Sequence, residues 1–128
     1  MLTFNLKKEW FEKIKSGEKT HEYREVKPYW TTIFVKEFFR VNRKKHPYQF
    51  SIYEKGMVQF LRGDKATYNN PKICFMNGML SEEKRPRLYA KMKSITIKNG
   101  LETDLKINKP VYDIEFELIS ESEVINER

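Results

Sequence analysis

The sequence predicts a small α+β fold: five or six strands curling into a barrel, with one or two helices from the N-terminal half packed on it. Three observations lead there. The apolar period changes from two to about four within the first sixteen residues, so a strand gives way to a helix. The second half breaks into apolar-rich runs separated by Gly, Asn, Asp and Pro, which is how strands and turns alternate. Nine Phe, seven Tyr and two Trp make up 14% of 128 residues, favouring a core built on large rings. That length suits one hydrophobic core, so a single domain over 1–128 is expected.

Leu2, Phe4 and Leu6 share one face of a strand at 2–6. Leu6, Trp10 and Ile14 then recur every four residues, Phe11 widens the stripe, and Glu9–Lys13 is a favourable i,i+4 pair. Gly17 stands where a left-handed helix stop belongs. "THEYREV" (20–26) has strand length and alternation. Pro28 ends it and suits the first turn of a second helix, "PYWTTIFVKEFFRV", with Trp30, Phe34, Phe38 and Val41 along one side. Residues 41–56 read as a helix end or loop. "MVQFLRG", "KICFMNG", "RLYAKMKSITIKNG" and "VYDIEFELI" supply four more strands. In the last, Tyr112, Ile114, Phe116 and Leu118 alternate with Asp113, Glu115 and Glu117, predicting one core face and one wet face. A sheet of this size closes or half-closes to hide its edges. Helices are expected in the first half only, and the tail after about residue 119 is expected to fray.

Composition narrows the function classes. The net charge is +7, unevenly spread: residues 1–110 carry 24 basic against 12 acidic side chains, and residues 111–128 carry one against six. A basic body attracts polyanions and anionic ligands through its long-range field. One cysteine, Cys74, cannot form an internal disulfide, and its apolar neighbours suggest a buried strand thiol. Together with the separated His21 and His46, it offers no structural zinc spacing; neither metal nor cofactor is expected. No run approaches the ~18 apolar residues of a membrane span. These features point to a reducing, cytoplasmic setting.

The densest chemistry lies in "SGEKTHEYREVKPYW" (16–30), nine titratable side chains in fifteen residues. In a strand, Glu22 and Arg24 share a face while Tyr23 turns to the other, and Lys19 enters from the preceding loop. Two cations and a carboxylate therefore converge near one strand end. Such a trio can hold Lys19 charged as an anion or carbonyl binder, or, if buried, press it towards a base or nucleophile. Arg24 presents a planar fork to phosphate or a base edge. The same residues also suit a surface Glu22–Arg24 pair with a solvated Lys19. His21 alternates with Glu22 and is expected to face away from the site.

Gly17-x-Lys19-x-x-Glu22-x-Arg24 resembles the GxKxxExR signature of ASCH domains, a branch of the PUA-like β-barrels. The upstream "LKKEWFEKIKSGEKT" is similar to that family's strand–helix–loop entry, and "ICFMNG", "RLYAKMKSITI" and "VYDIEFELI" to its later strands. The resemblance implies a PUA-like barrel and a cleft lined by Lys19, Glu22 and Arg24. It also implies binding of RNA or a nucleotide, and in some members RNA cleavage. One branch removes the acetyl group of N4-acetylcytidine with a Lys at the position of Lys19 and a nucleophilic Thr at the position of Glu22. The carboxylate here cannot be acylated and released in that way, so acetate release is not expected.

"RVNRKKHPYQF" (40–50) sets Arg40, Arg43, Lys44 and Lys45 beside Tyr48 and Phe50, a mixture that suits single-stranded RNA. It also suits a solvated helix end, where cations oppose the dipole. "EEKRPR" (82–87) reads as a hairpin tip that extends a basic rim or simply ends in water, and the "RGD" at 62–64 as a chance tripeptide. Three function classes stay open. The favoured one is RNA or nucleotide binding. The second is a hydrolase of RNA or of a modified nucleoside using Lys19 and Glu22. The third is a protein-interaction or regulatory module.

Overall fold

The computed structural model describes residues 1–42, 50–52, 58–60, 70–78 and 85–125. In chain order these form β1 (Leu2–Leu6), α1 (Lys8–Lys15), β2 (His21–Glu25), α2 (Pro28–Asn42), β3 (Phe50–Ile52), β4 (Val58–Phe60), β5 (Lys72–Asn77), β6 (Arg87–Asn99), β7 (Pro110–Ile119) and α3 (Glu121–Ile125). A single 3₁₀ turn, Gly100–Glu102, lies between β6 and β7. The fold is α+β: a five-stranded sheet, ordered β1-β5-β6-β7-β2, curls into a half-barrel. β1 runs parallel to β5, and the remaining neighbours are antiparallel. β3 and β4 form a separate antiparallel pair.

The aromatic residues build the core. Phe4 lies against Trp30, Phe34 and Phe75, with ring centroids 5.4, 6.4 and 5.9 Å apart, and Phe75 meets Phe116 at 4.8 Å. Phe34 meets the fully buried Tyr112 edge to face at 4.9 Å. The Tyr112 hydroxyl, which would be costly left unpaired, shares a 2.5 Å hydrogen bond with Thr31 Oγ1. α1 docks Phe11 and Ile14 onto the same cluster, as its four-residue stripe predicts.

Several expectations need correction. Residues 50–52 form a strand where a loop or helix end is expected; three residues are too short to show a period in sequence. Of "MVQFLRG", residues 58–60 are described, as β4. Helices are not confined to the first half, since α3 follows β7. It occupies the stretch expected to fray. Glu123 makes its half of a capping box there: its Oε1 accepts from Ser120 N–H and from Ser120 Oγ, while Glu123 N–H donates to the Ser120 backbone carbonyl.

β7 departs from simple alternation as well. Val111, Tyr112, Asp113 and Ile114 are all buried, while Leu118 is 38% exposed. Early β7 is covered on both sides because the 100–109 segment folds over its outer face, and Asp113 is buried by being paired. Its Oδ1 lies 2.6 Å from His21 Nδ1 and its Oδ2 2.6 Å from Lys98 Nζ.

Candidate functional site

Geometry at the end of α1 brings Lys19 to its position. Gly17 adopts φ +84°, a conformation side chains resist, although a Cβ there would touch nothing within 4 Å. The reversal lets Lys19 N–H donate to the Lys13 carbonyl at 3.0 Å, and Ser16 Oγ donates to the same oxygen. The chain then enters β2 with Lys19, His21 and Tyr23 on the outer face of the sheet and Glu22 and Arg24 on the inner face. In register, His21 faces Glu115, Glu22 faces Ile114, Tyr23 faces Asp113 and Arg24 faces Tyr112.

An open cleft of about 470 Å³ lies on the outer side, between α1, β2 and the turn after β6. Trp10 and Lys13 come from α1, Lys19, His21 and Tyr23 from the strand and its entry, and Glu102, Thr103, Asp104 and Lys106 from the opposite wall. Lys19 lines the cleft with a side chain only 10% exposed. Its ammonium lies 5.2 Å from the Trp10 ring centroid and 5.0 Å from that of Tyr23, within cation–π range. It donates to Asp104 Oδ2 at 2.5 Å and lies 3.7 Å from Glu22 Oε1. Lys13 covers the Trp10 ring at 4.9 Å.

The opposite wall is built by small-residue chemistry. Asn99 Oδ1 accepts from Leu101 N–H, and Gly100 N–H donates to the Lys109 carbonyl. A Cβ on Gly100 would lie 2.5 Å from the Ile107 carbonyl oxygen, so only glycine fits. Thr103 is buried; its hydroxyl donates to the Gly100 carbonyl and accepts from Leu105 N–H. These bonds hold the next residue, Asp104, over Lys19.

Lys19, Glu22 and Arg24 do converge, as one chain of ion pairs. Glu22 Oε2 accepts from Arg24 Nη2 at 3.0 Å, and Oε1 accepts from Tyr23 N–H at 3.1 Å while facing Lys19. Of the three, Lys19 lines the cleft. Glu22, 5% exposed, lies behind it, and the Arg24 guanidinium carbon sits 4.9 Å from the rings of both Phe4 and Trp30. Arg24 Nε is buried without a hydrogen-bond partner.

His21 does not face away. It lines the cleft, because it shares the parity of Lys19 rather than that of Glu22. Its Nε2 lies 3.3 Å from Glu115 Oε2, and its ring stacks on Tyr23 at 6.2 Å. Burial, followed by the charge of Asp113, raises the Tyr23 hydroxyl above its ordinary pKa, and hydrogen bonding to Asp113 raises Lys98. Arg40 ion-pairs with Glu37, which also holds the N-terminal amine. Arg43, Lys44, Lys45 and Tyr48 lie outside the described residues.

The far wall was not singled out in sequence. The one signal is Asn99-Gly100 followed by Thr103-Asp104, a turn pattern with polar residues at short spacing. Among the described residues, no group of three His, Cys, Asp or Glu side chains is placed to hold a metal ion, and no helix is long and apolar enough to cross a membrane. Comparison with protein-family models, curated proteins and solved structures finds no match for the chain.

Proposed function

We propose that the protein is an ASCH-type domain of PUA-like architecture that binds RNA or a nucleotide through the cleft around Lys19. The observation that carries this reading is the ammonium of Lys19 held between Trp10 and Tyr23 in a cleft of nucleotide size, with Lys13 and Lys106 on its walls. Rings of this kind stack on bases, and lysines meet phosphate. The curled sheet with its N-terminal helices supports the architecture, and the motif at the entry to β2 supports the family. The basic body adds long-range attraction for polyanions.

Hydrolysis by a Lys19–Glu22 pair draws less support. A general base needs a free lone pair directed at substrate, whereas both Glu22 oxygens are engaged and its carboxylate lies on the inner side of the strand. Titration with short single-stranded RNAs and mononucleotides at ~50 mM salt tests the binding reading. Binding is expected, with a loss of about tenfold in Lys13→Ala and more in Lys19→Ala, as for charge-assisted contacts. Binding of equal strength in both variants, or none to any probe, would overturn it.

A further inference from the structure

The charge around the cleft differs from the charge of the body, and the difference bears on what the cleft accepts. Residues 1–110 are strongly basic, yet the cleft wall is balanced: Lys13, Lys19 and Lys106 stand against Glu18, Glu102 and Asp104. Among the described residues, Lys19 alone of these lysines is held by carboxylates. One of them, Glu22, is buried and anchored by Arg24 and by Tyr23 N–H, so it stays with the protein. The other, Asp104, belongs to an exposed turn, its side chain is 31% exposed, and its bond to Lys19 is its ion pair. Asp104 thus holds the position on Lys19 that an incoming anion would take.

We infer that the cleft accepts a nucleotide unit bearing a single phosphate, as a monoester or a phosphodiester, and that this phosphate exchanges with Asp104 on Lys19. The inference rests on the nucleotide reading above and specifies its ligand. On Lys19 itself one anionic partner replaces another, while the displaced Asp104 carboxylate stays on the wall, so the first phosphate is the one the wall accommodates best. Each further phosphate would add charge beside Glu18, Glu102 and the displaced Asp104, where like charges repel. Those same carboxylates accept hydrogen bonds from ribose hydroxyls or from exocyclic amino groups. A site selected for polyphosphate would instead collect unopposed Lys and Arg.

Calorimetric titration with a nucleoside, its 5′-monophosphate, its 5′-triphosphate and a tetranucleotide RNA tests this, the monophosphate and tetranucleotide arms separating free nucleotide from chain. The monophosphate is expected to bind about tenfold more tightly than the nucleoside, and the triphosphate no more than about threefold more tightly than the monophosphate. The monophosphate should weaken only mildly as salt rises, because a mononucleotide carries no condensed counterions to release. In Asp104→Asn the monophosphate should gain several-fold and the triphosphate should gain more, because a competing and repelling charge has gone. Affinity that climbs tenfold or more from monophosphate to triphosphate in the natural protein, yet still needs Lys19, overturns this inference and leaves nucleotide binding intact. Weaker monophosphate binding in Asp104→Asn, with an unchanged melting temperature, overturns the exchange. No binding by any probe overturns both readings.

Discussion

β2 carries two different electrostatic environments on alternate residues. On the inner face, Glu22 and Arg24 sit beneath aromatic rings, and the Glu22 carboxylate has each oxygen bonded. On the outer face, Lys19, His21 and Tyr23 line an open cleft whose charges are paired in part and held by a turn. The inner charges are surrounded by low-dielectric material, so each must find its partner within the protein or the fold loses free energy. On the outer face the Lys19 side chain is itself only 10% exposed, and the exposure lies with Asp104, 31% exposed on its turn, so it is this partner that can leave for water. Even positions thereby face the core and odd positions the cleft.

The largest expected effect breaks the inner half. Glu22→Ala removes the partner of Arg24, whose Nε already lacks one, and strips one of two carboxylates from Lys19. Breaking a fully buried pair costs about 3–5 kcal/mol, and the 23% exposure of Arg24 lowers this to about 2–4. Asp104→Asn on the outer side should cost less, about 1–2 kcal/mol, since Asp104 is 31% exposed and the largely buried Lys19 keeps Glu22 as a partner. Urea denaturation of the two variants compares the faces directly. Equal losses would mean that the division between them does not exist.

A second pair sharpens the outer half. Gly100→Ala places a methyl 2.5 Å from the Ile107 carbonyl oxygen and 2.6 Å from Ile107 Cγ1, so the wall carrying Thr103 and Asp104 must shift. A loss of about 1–3 kcal/mol is expected, as for other overpacked sites, together with weakened ligand binding. Gly17→Ala meets nothing within 4 Å and pays only for its positive φ, about 1 kcal/mol. Thermal melts of both variants should rank Gly100→Ala as the more damaging. The reverse order would show that the wall is pliable.

These contrasts show which parts of the molecule are legible in sequence. Where neighbours along the chain decide a feature, the pattern predicts it: the strand–helix switch at 2–16, the Gly17 stop and the shared face of Glu22 and Arg24 all follow from local periodicity. Features decided across the chain are hidden. Asp113 reads as a wet-face residue until its register sets it beside His21 and Lys98. Asp104 is 85 residues from Lys19, and no local pattern joins them. The helical turn at 121–125 falls in the stretch expected to fray; Ser120-x-x-Glu123 has the residue pattern of a capping box, set in a run dominated by charge.

The smallest effect concerns protons and separates the two faces at high pH. Tyr23 on the outer face and Tyr112 in the core both have pKa values raised above 10.0, chiefly by burial; for Tyr112 the bond to Thr31 offsets part of the rise. Lys98 is raised above 10.5 by its hydrogen bond to Asp113. Each group holds its proton more tightly folded than unfolded. Its contribution is therefore complete below the unfolded value and is lost as pH climbs through the folded one. Stability should hold level to about pH 9, where the buried Cys74 thiol begins the decline, and fall more steeply above pH 10. Each group contributes a slope of at most about 1.4 kcal/mol per pH unit within its own window. Tyr23→Phe should flatten that decline while changing neutral stability by less than about 0.5 kcal/mol, because its ring still covers Lys19. Tyr112→Phe should flatten it as well but cost about 1 kcal/mol at pH 7, because Thr31 loses its partner. Urea midpoints at pH 7 and pH 10.5 for the two variants decide the matter. If Tyr23→Phe leaves the alkaline decline as steep as in the natural protein, the Tyr23 hydroxyl is not held protonated by burial and by the neighbouring Asp113 charge, and the outer face is more open to water than its geometry implies.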